Sequence, residues 1–154
     1  MIKVLFICHG NICRSPMAEF VFRDMVEKRG LSDKICCASA ATSSEELGHG
    51  VYPPVRALLA EHGIDCRGKK ARQIIRQDYK DYDMIIGMDE ANMRNMARVF
   101  GADPEGKLHM LMSFAGSSAA VADPWYTRDF EATWRDVNCA CQALLRYIEE
   151  NGLV

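Results

Sequence analysis

A cysteine and an arginine near the start of the chain have the types and spacing of a phosphate-transfer site. Cys8 precedes Arg14 by six positions, and Gly10 and Asn11 lie between them. Glycine and asparagine tolerate positive φ angles, so we expect this backbone to turn its N–H groups inward. Converging N–H groups bind an anion, and a guanidinium matches two oxygens of a phosphate. The segment therefore predicts a phosphate-binding loop with a cysteine nucleophile at its start.

The residues after Arg14 predict the start of a helix. Pro16 is favoured in a first helical turn, and we expect Ser15 to cap that helix. The partial positive charge of the helix N-terminus would add to the field of Arg14 and favour the thiolate form of Cys8. We also expect the Ser15 hydroxyl to donate a hydrogen bond to that thiolate. A buried structural cysteine beside a surface arginine is the alternative interpretation.

A carboxyl group late in the chain could complete the chemistry. Transfer of a phosphoryl group from a phenol needs an acid for the leaving oxygen and then a base for water, and one carboxyl can serve both steps. Asp123 precedes Pro124, which biases Asp123 toward extended backbone, and Trp125 and Tyr126 follow. Because Asp-Pro is also an ordinary turn sequence, the residues alone leave Asp123 as one candidate among others.

The elements that must position these groups alternate between strands and helices. Short apolar runs predict four strands, at residues 3–7, 35–40, 84–88 and 108–112. Apolar residues at helical spacing predict a helix over 90–100 and a long C-terminal helix from Phe130. This alternation predicts an α/β fold with one domain over 1–154, a four-stranded parallel sheet, helices on both faces and flavodoxin-like winding. Ligands of such folds bind at the carboxyl ends of the strands, where the Cys8 loop lies.

The composition argues against several classes of protein. The 154 residues include 19 Lys and Arg against 21 Asp and Glu, a net charge of -2, which argues against general nucleic-acid binding and a polybasic membrane patch. No apolar run approaches the roughly 20 residues of a membrane helix. The seven cysteines, without an export signal, indicate free thiols in a cytoplasmic protein. No cysteine pair has a partner at zinc-ligand spacing, so we expect no metal and no other cofactor.

The stretch from Val4 to Glu19 resembles the active-site segment of the low-molecular-weight protein tyrosine phosphatases. Three later segments extend the resemblance over essentially the whole chain: Lys70–Gln73, Met88–Glu90 and Asp123–Tyr126. The resemblance implies hydrolysis of phosphotyrosine in a protein or peptide through a phospho-cysteine intermediate, with inorganic phosphate as a product. It implies that Cys8 is the nucleophile, Arg14 the phosphate clamp and Asp123 the general acid and base.

The resemblance also implies roles for residues around these three. The expected phosphate- and substrate-binding residues are His9, Gly10, Asn11, Ile12, Cys13, Ser15, Trp125 and Tyr126. Ser39 is expected to support Asn11, although a plain strand-end hydroxyl is an equal alternative. Asp89 matches an aspartate that organises the site through a histidine in the family. Lys69 stands where that histidine is expected, so the network around Asp89 must differ.

Other interpretations of the same residues stay open. By resemblance, Cys13 could form a reversible disulfide with Cys8, or it could be simply a small loop residue. Trp125 could be a core tryptophan instead of a wall of the substrate site. His9 does not decide between phosphotyrosine and phosphoarginine, so a protein arginine phosphatase is an alternative. Arsenate reductases share the fold and the loop but need further cysteines near the nucleophile, and phosphocysteine carrier domains would need no Asp123.

Overall fold

Four parallel strands form one sheet at the centre of the molecule. The computed structural model describes all residues from Met1 to Val154. The strands are β1 (Ile2–Cys8), β2 (Ile35–Ala41), β3 (Met84–Gly87) and β4 (Leu108–Met110). Their order across the sheet is β2-β1-β3-β4, and every neighbouring pair is parallel. This is the flavodoxin-like order, so the predicted fold class is confirmed.

Six α-helices and one 3₁₀ turn connect and cover the strands. The helices are α1 (Arg14–Lys28), α2 (Pro53–Glu61), α3 (Asp78–Asp81), α4 (Glu90–Phe100), α5 (Pro124–Thr127) and α6 (Phe130–Glu150). None of them is both long and apolar enough to cross a lipid bilayer. The predicted fourth strand is too long by two residues, because the chain enters the 3₁₀ turn Leu111–Ala115 directly after β4.

Strand β1 is buried on both faces of the sheet. Val4 and Phe6 contact a large apolar cluster formed with α1, α2 and α6, and Phe6 packs edge-to-face on Phe22 at 5.6 Å. Leu5 and Ile7 point to the other face, into a smaller cluster with α4. Because successive side chains of a strand alternate between faces, burial on both sides explains the unbroken apolar sequence of β1.

The register of the sheet brings three chain segments to one edge. Cys8, the last residue of β1, is paired with Ala41 of β2, and Ile7 is paired with Gly87 of β3. The segments that leave the carboxyl ends of β1, β2 and β3 therefore begin side by side. The candidate site is built on these three segments and on the start of α5, which adds Asp123, Trp125 and Tyr126.

Candidate active site

The loop after β1 wraps around the sulfur of Cys8. Cys8 is only 3% exposed, and its Sγ lies 3.3 Å from the backbone nitrogen of Asn11 and 3.0 Å from Oγ of Ser15. Asn11 has a φ of 60°, the left-handed conformation expected of this loop. Helix α1 follows at once, with Cys13 at its N-cap position. The sulfur thus faces hydrogen-bond donors and the positive end of a helix.

The expectation that Ser15 caps α1 is wrong. Of the two loop residues that tolerate a positive φ, only Asn11 adopts one, and Gly10 does not. Gly10 is instead tightly surrounded, since a Cβ there would lie 3.3 Å from Cγ of Glu46. Ser15 does not cap α1, because it lies inside the helix and the N-cap has no side-chain hydrogen bond. Its hydroxyl turns toward Cys8 instead.

The side chain of Asn11 determines which way the Ser15 proton points. Asn11 Oδ1 accepts the Arg72 backbone N–H at 3.2 Å, which fixes the orientation of the amide. Asn11 Nδ2 then donates to Ser15 Oγ at 2.8 Å and to Ser39 Oγ at 2.9 Å. Because the Ser15 oxygen accepts from Asn11, its own proton is free to donate to Cys8. Ser39 supports Asn11 by direct contact.

A buried ion pair that sequence reasoning missed lies behind this network. Ser39 Oγ donates to Glu19 Oε1 at 2.5 Å, and the same carboxylate pairs with Lys69 at 3.3 Å and with Arg23 at 2.6 Å. Lys69 Nζ also donates to the Ser39 carbonyl at 2.9 Å. Burial lowers the pKa of Lys69, and the charge of Glu19 opposes that shift. The sequence signal that could have indicated this ion pair is the position of Glu19 among the apolar residues of α1.

The guanidinium of Arg14 is held by three groups from distant parts of the chain. Arg14 is 4% exposed at its side chain. Nη1 donates to Asp89 Oδ2 at 2.8 Å and to the Val121 carbonyl at 2.9 Å, and Nη2 lies 3.5 Å from Asp123 Oδ2. Burial alone would lower the pKa of Arg14, but the negative charges of Cys8, Asp89 and Asp123 raise it. The side chain is therefore a fixed cation.

Asp89 acts on Arg14 directly. Its Oδ1 accepts the Asn92 backbone N–H at 2.8 Å and so caps α4, while Oδ2 binds Arg14. Lys69, which stands where the family resemblance places a histidine, pairs with Glu19 and not with Asp89. Asp89 thereby orients the guanidinium and leaves Arg14 Nε, and the Nη2 N–H that does not face Asp123, available for an anion.

Asp123 faces the phosphate loop from the turn before α5. Its backbone is extended, with φ of −82° and ψ of 109°, as the following proline predicts. Oδ1 accepts the Trp125 backbone N–H at 3.0 Å, and Oδ2 faces Arg14. The carboxylate is thus anchored through one oxygen to the start of α5 and presents the other to the site.

These groups line a single cavity. Its lining residues are Cys8, His9, Gly10, Ile12, Cys13, Arg14, Glu45, Glu46, Asp123, Trp125 and Tyr126. The remaining candidates do not line the cavity: Asn11 lies within the loop, Ser15 and Ser39 are bonded to Asn11, and Asp89 is bonded to Arg14. Trp125 is 45% exposed, which excludes a core tryptophan. Sequence reasoning missed Glu45, whose Oε2 lies 3.0 Å from Nε2 of His9.

The family model for low molecular weight phosphotyrosine protein phosphatases matches residues 3–153. The chain belongs to this family. The low molecular weight protein-tyrosine-phosphatase YfkJ of Bacillus subtilis is 38% identical over 152 residues, which are 97% of each chain. The crystal structure of YfkJ matches with a TM-score of 0.95 and covers 99% of this chain and 97% of that one.

Two further relatives agree with this placement. The low molecular weight phosphotyrosine protein phosphatase of Sus scrofa is 37% identical over 151 residues, which are 95% of each chain. The crystal structure of DARP, a drosophila arginine phosphatase, is 32% identical with a TM-score of 0.85 and covers 95% of this chain and 97% of that one. The expected family is confirmed, and the chain is a cysteine-dependent enzyme of the protein tyrosine phosphatase class.

A second cysteine of the phosphatase lies in the same cavity. Burial raises the pKa of Cys13, and the negative charge of Cys8 raises it further, to about 12. Cys13 is therefore a neutral thiol at neutral pH, unlike a nucleophile. The other five cysteines, Cys36, Cys37, Cys66, Cys139 and Cys141, do not line the cavity. The cavity thus has no third thiol of the kind that a reductase relay uses.

Proposed function

We propose that the phosphatase hydrolyses phosphotyrosine in proteins or peptides, with Cys8 as nucleophile, Arg14 as phosphate clamp and Asp123 as general acid and base. One observation carries the proposal. The Cys8 sulfur meets two hydrogen-bond donors at the base of a cavity that Asp123 also lines. A nucleophile and a proton donor facing one space are what two-step phosphoryl transfer requires.

In the first step the thiolate of Cys8 attacks phosphorus in line. The S–P bond forms as the bond from phosphorus to the phenol oxygen breaks, and Asp123 gives its proton to that oxygen. Arg14 Nη1 is already bound by Asp89 and Val121, so Nε and Nη2 hold the phosphoryl oxygens together with loop N–H groups. These donors stabilise the charge of the transition state.

In the second step water cleaves the phospho-cysteine. Asp123, now a carboxylate, takes a proton from water, whose oxygen attacks phosphorus while the S–P bond breaks. The sulfur leaves as a thiolate and is stabilised by the Ser15 hydroxyl and the Asn11 N–H. Inorganic phosphate is the second product. All positive charge in this scheme comes from Arg14, the loop N–H groups and the helix N-terminus.

The walls of the cavity support an aromatic substrate. Ile12, Trp125 and Tyr126 provide apolar surface around the space above Cys8. Flat rings pack well between an aliphatic side chain and an indole. A phosphotyrosine ring therefore has a matching environment that the short side chain of phosphoserine would not fill.

Turnover of matched peptides tests both the mechanism and the substrate. One peptide sequence carrying phosphotyrosine, phosphoarginine or phosphoserine is compared for wild type, Cys8→Ser, Asp123→Asn and the control Cys139→Ser, which replaces an exposed cysteine outside the cavity. We expect phosphotyrosine to be preferred, Cys8→Ser to be inactive and Cys139→Ser to keep its activity. Loss of a general acid costs about 10²–10⁴-fold, and we expect that loss for Asp123→Asn on leaving groups that need a proton.

The outcomes separate mechanism from substrate choice. Full activity of Cys8→Ser would contradict the nucleophile assignment. Preference for the phosphoarginine peptide, with the same response to Cys8→Ser and Asp123→Asn, would overturn the substrate and keep the mechanism. Thioredoxin-coupled arsenate reduction without any phosphatase activity would overturn both.

We also propose that residues 1–154 act as one catalytic domain in the cytoplasm, with a phosphoprotein and not nucleic acid or a membrane as partner. The near-neutral charge of -2 supports this assignment. So does a content of seven cysteines in one short chain, since free thiols persist in a reducing compartment. Localisation of a tagged chain by fractionation would test it.

A further inference from the structure

The segment that carries Asp123, residues 121–128, is here called the acid turn, and its first half is fixed by backbone contacts. The Val121 N–H donates to the Met88 carbonyl at 2.9 Å, and the Val121 carbonyl accepts from Arg14. The Ala122 carbonyl accepts from the Thr133 hydroxyl at 3.1 Å. These bonds attach the start of the acid turn to the residue after β3, to α1 and to α6, but none of them reaches α5.

The other end of the acid turn holds a strained residue. Arg128 has a φ of 59° and a ψ of 13°, the left-handed region that residues with a side chain rarely adopt. Its guanidinium donates to Tyr52 Oη at 3.0 Å. The same group lies over the rings of Tyr52, at 5.4 Å, and Phe130, at 5.2 Å. Such strain persists only where the surrounding contacts maintain it.

Tyr52 connects these contacts to the phosphate loop. Its backbone N–H donates to the Ile12 carbonyl at 2.9 Å. Its ring packs against Trp125 with the centroids 4.9 Å apart, and its hydroxyl accepts from Arg128. One residue that is bonded to the phosphate loop therefore holds α5 through two separate side chains.

We propose that Tyr52 and Arg128 are positioning residues that set the placement of Asp123 above the phosphate loop. Neither residue lines the cavity, so neither is placed to touch the reacting atoms. Asp123 Oδ1 is bonded to the Trp125 N–H, so the carboxylate moves with α5, and α5 rests on Tyr52. The inference rests on the proposed role of Asp123 as the acid.

The clasp formed by Tyr52, Trp125 and Arg128 should matter most when the leaving group needs a proton. A displacement of about 1 Å in a catalytic group can cost about 10²-fold in rate. We measure kcat/KM, because it reports the step in which the leaving group departs. Phenyl phosphate has a poor leaving group that needs the acid, while p-nitrophenyl phosphate has a good one that needs it little.

Three variants weaken the clasp in graded ways. Arg128→Gly removes the guanidinium and relieves the backbone strain, Tyr52→Phe removes only the hydroxyl acceptor, and Arg128→Lys keeps the charge without the planar fork. We expect Arg128→Gly to lose roughly tenfold in kcat/KM on phenyl phosphate and less than about twofold on p-nitrophenyl phosphate. Tyr52→Phe and Arg128→Lys should each lose less kcat/KM than Arg128→Gly, and again more on phenyl phosphate than on p-nitrophenyl phosphate. Lysine at position 128 should therefore retain part of the activity that glycine loses.

Controls separate positioning from loss of fold or loss of the loop. Arg67→Ala removes an exposed arginine that pairs only with Asp65 and should leave both substrates unchanged. The rate of Cys8 alkylation and inhibition by inorganic phosphate should be unchanged in Tyr52→Phe and Arg128→Lys, because both keep the positive charge at position 128, which acts on Cys13 in the phosphate loop. A thermal unfolding curve for each variant confirms folding.

Equal losses on both substrates, or no change in their ratio, in Arg128→Gly would overturn the inference. Asp123→Asn in the same panel keeps the two proposals distinct. If Asp123→Asn loses no more on phenyl phosphate than on p-nitrophenyl phosphate, the acid assignment itself fails. If Asp123→Asn shows the expected dependence and the clasp variants do not, only the clasp is refuted.

Discussion

Replacement of Glu19 by glutamine should strongly destabilise the fold, because it leaves a buried lysine without its carboxylate. The side chains of Glu19 and Lys69 are 5% and 12% exposed, and their charged atoms lie 3.3 Å apart. After the substitution, Lys69 Nζ would keep the Ser39 carbonyl as its hydrogen-bond partner. Arg23, the other partner of Glu19, is 42% exposed at its side chain and can turn to water.

The size of the loss follows from two independent arguments. Breaking a buried ion pair by removing one partner costs about 3–5 kcal/mol. The cost also has an upper limit, because the lysine can release its proton. At pH 7 this deprotonation spans about 3.5 pK units from the ordinary lysine pKa, or about 5 kcal/mol. We therefore expect Glu19→Gln to lower the free energy of unfolding by about 3–5 kcal/mol. This is a large part of the total for a typical domain, whose free energy of unfolding is roughly 5–15 kcal/mol.

Urea unfolding of four proteins measures the coupling. Wild type, Glu19→Gln, Lys69→Met and the double variant form a cycle, and the double variant should recover most of the loss since no unpaired charge remains. Lys28→Met is the control, because Lys28 pairs with Asp24 on the exposed surface of α1. A surface pair of this kind contributes under about 1 kcal/mol.

The pH dependence has a defined sign. Burial lowers the pKa of Lys69 from 10.5 even with Glu19 present, and loss of Glu19 removes a contribution that raises it. As pH rises from the folded pKa toward 10.5, the unfolded chain binds more protons than the native state. The stability of Glu19→Gln should therefore rise with pH over that window. A double variant as unstable as Glu19→Gln, or a loss below about 1 kcal/mol, would refute the reasoning.

Titration of Cys13 and His109 gives two further measurable outcomes. Burial and the charge of Cys8 raise the pKa of Cys13 to about 12. Limiting iodoacetamide at neutral pH should therefore label Cys8 before Cys13. Peptide mass mapping that finds Cys13 labelled first would contradict this expectation. Burial lowers the pKa of His109 below 6.5. As pH falls, this histidine is therefore protonated in the unfolded state before it is protonated in the folded state. The free energy of unfolding should decrease between pH 6.5 and the pKa of His109 in the folded state. His109→Gln should flatten that part of the stability profile, and an unchanged slope would show that other groups cause it.

Local patterns predicted most of the elements. The helix over 90–100 begins and ends where its sequence indicates, since Asp89 caps it and Gly101 follows with a positive φ. The β1 strand was recognisable because burial on both faces demands an unbroken apolar run. The errors were local as well: β4 ends early, and Ser15 lies inside α1 instead of capping it.

The charged residues that contact the site from other parts of the chain were harder to predict from the sequence. Asp89 was a candidate only through the family resemblance, and the residues alone left Asp123 as one candidate among others. Glu19, Glu45 and the Tyr52–Arg128 contact were missed. Each of these side chains finds its partner across many intervening residues. Charged and polar residues in loops have no periodic pattern from which such contacts could be predicted.

The sequence by itself determined the phosphate loop, because its chemistry lies in contiguous residues. Cys8, Asn11 and Arg14 are joined by one short turn after a strand, and backbone geometry alone brings them together. Only the tertiary structure decided what surrounds Arg14. Asp89 and Asp123 meet its guanidinium from 75 and 109 residues away. Asp89 follows β3, and a parallel sheet gathers the carboxyl ends of separate strands at one edge. Asp123 is held at the same edge because Val121 is bonded to the Met88 carbonyl, directly after β3. That gathering is a property of strand order and register, which no single segment encodes.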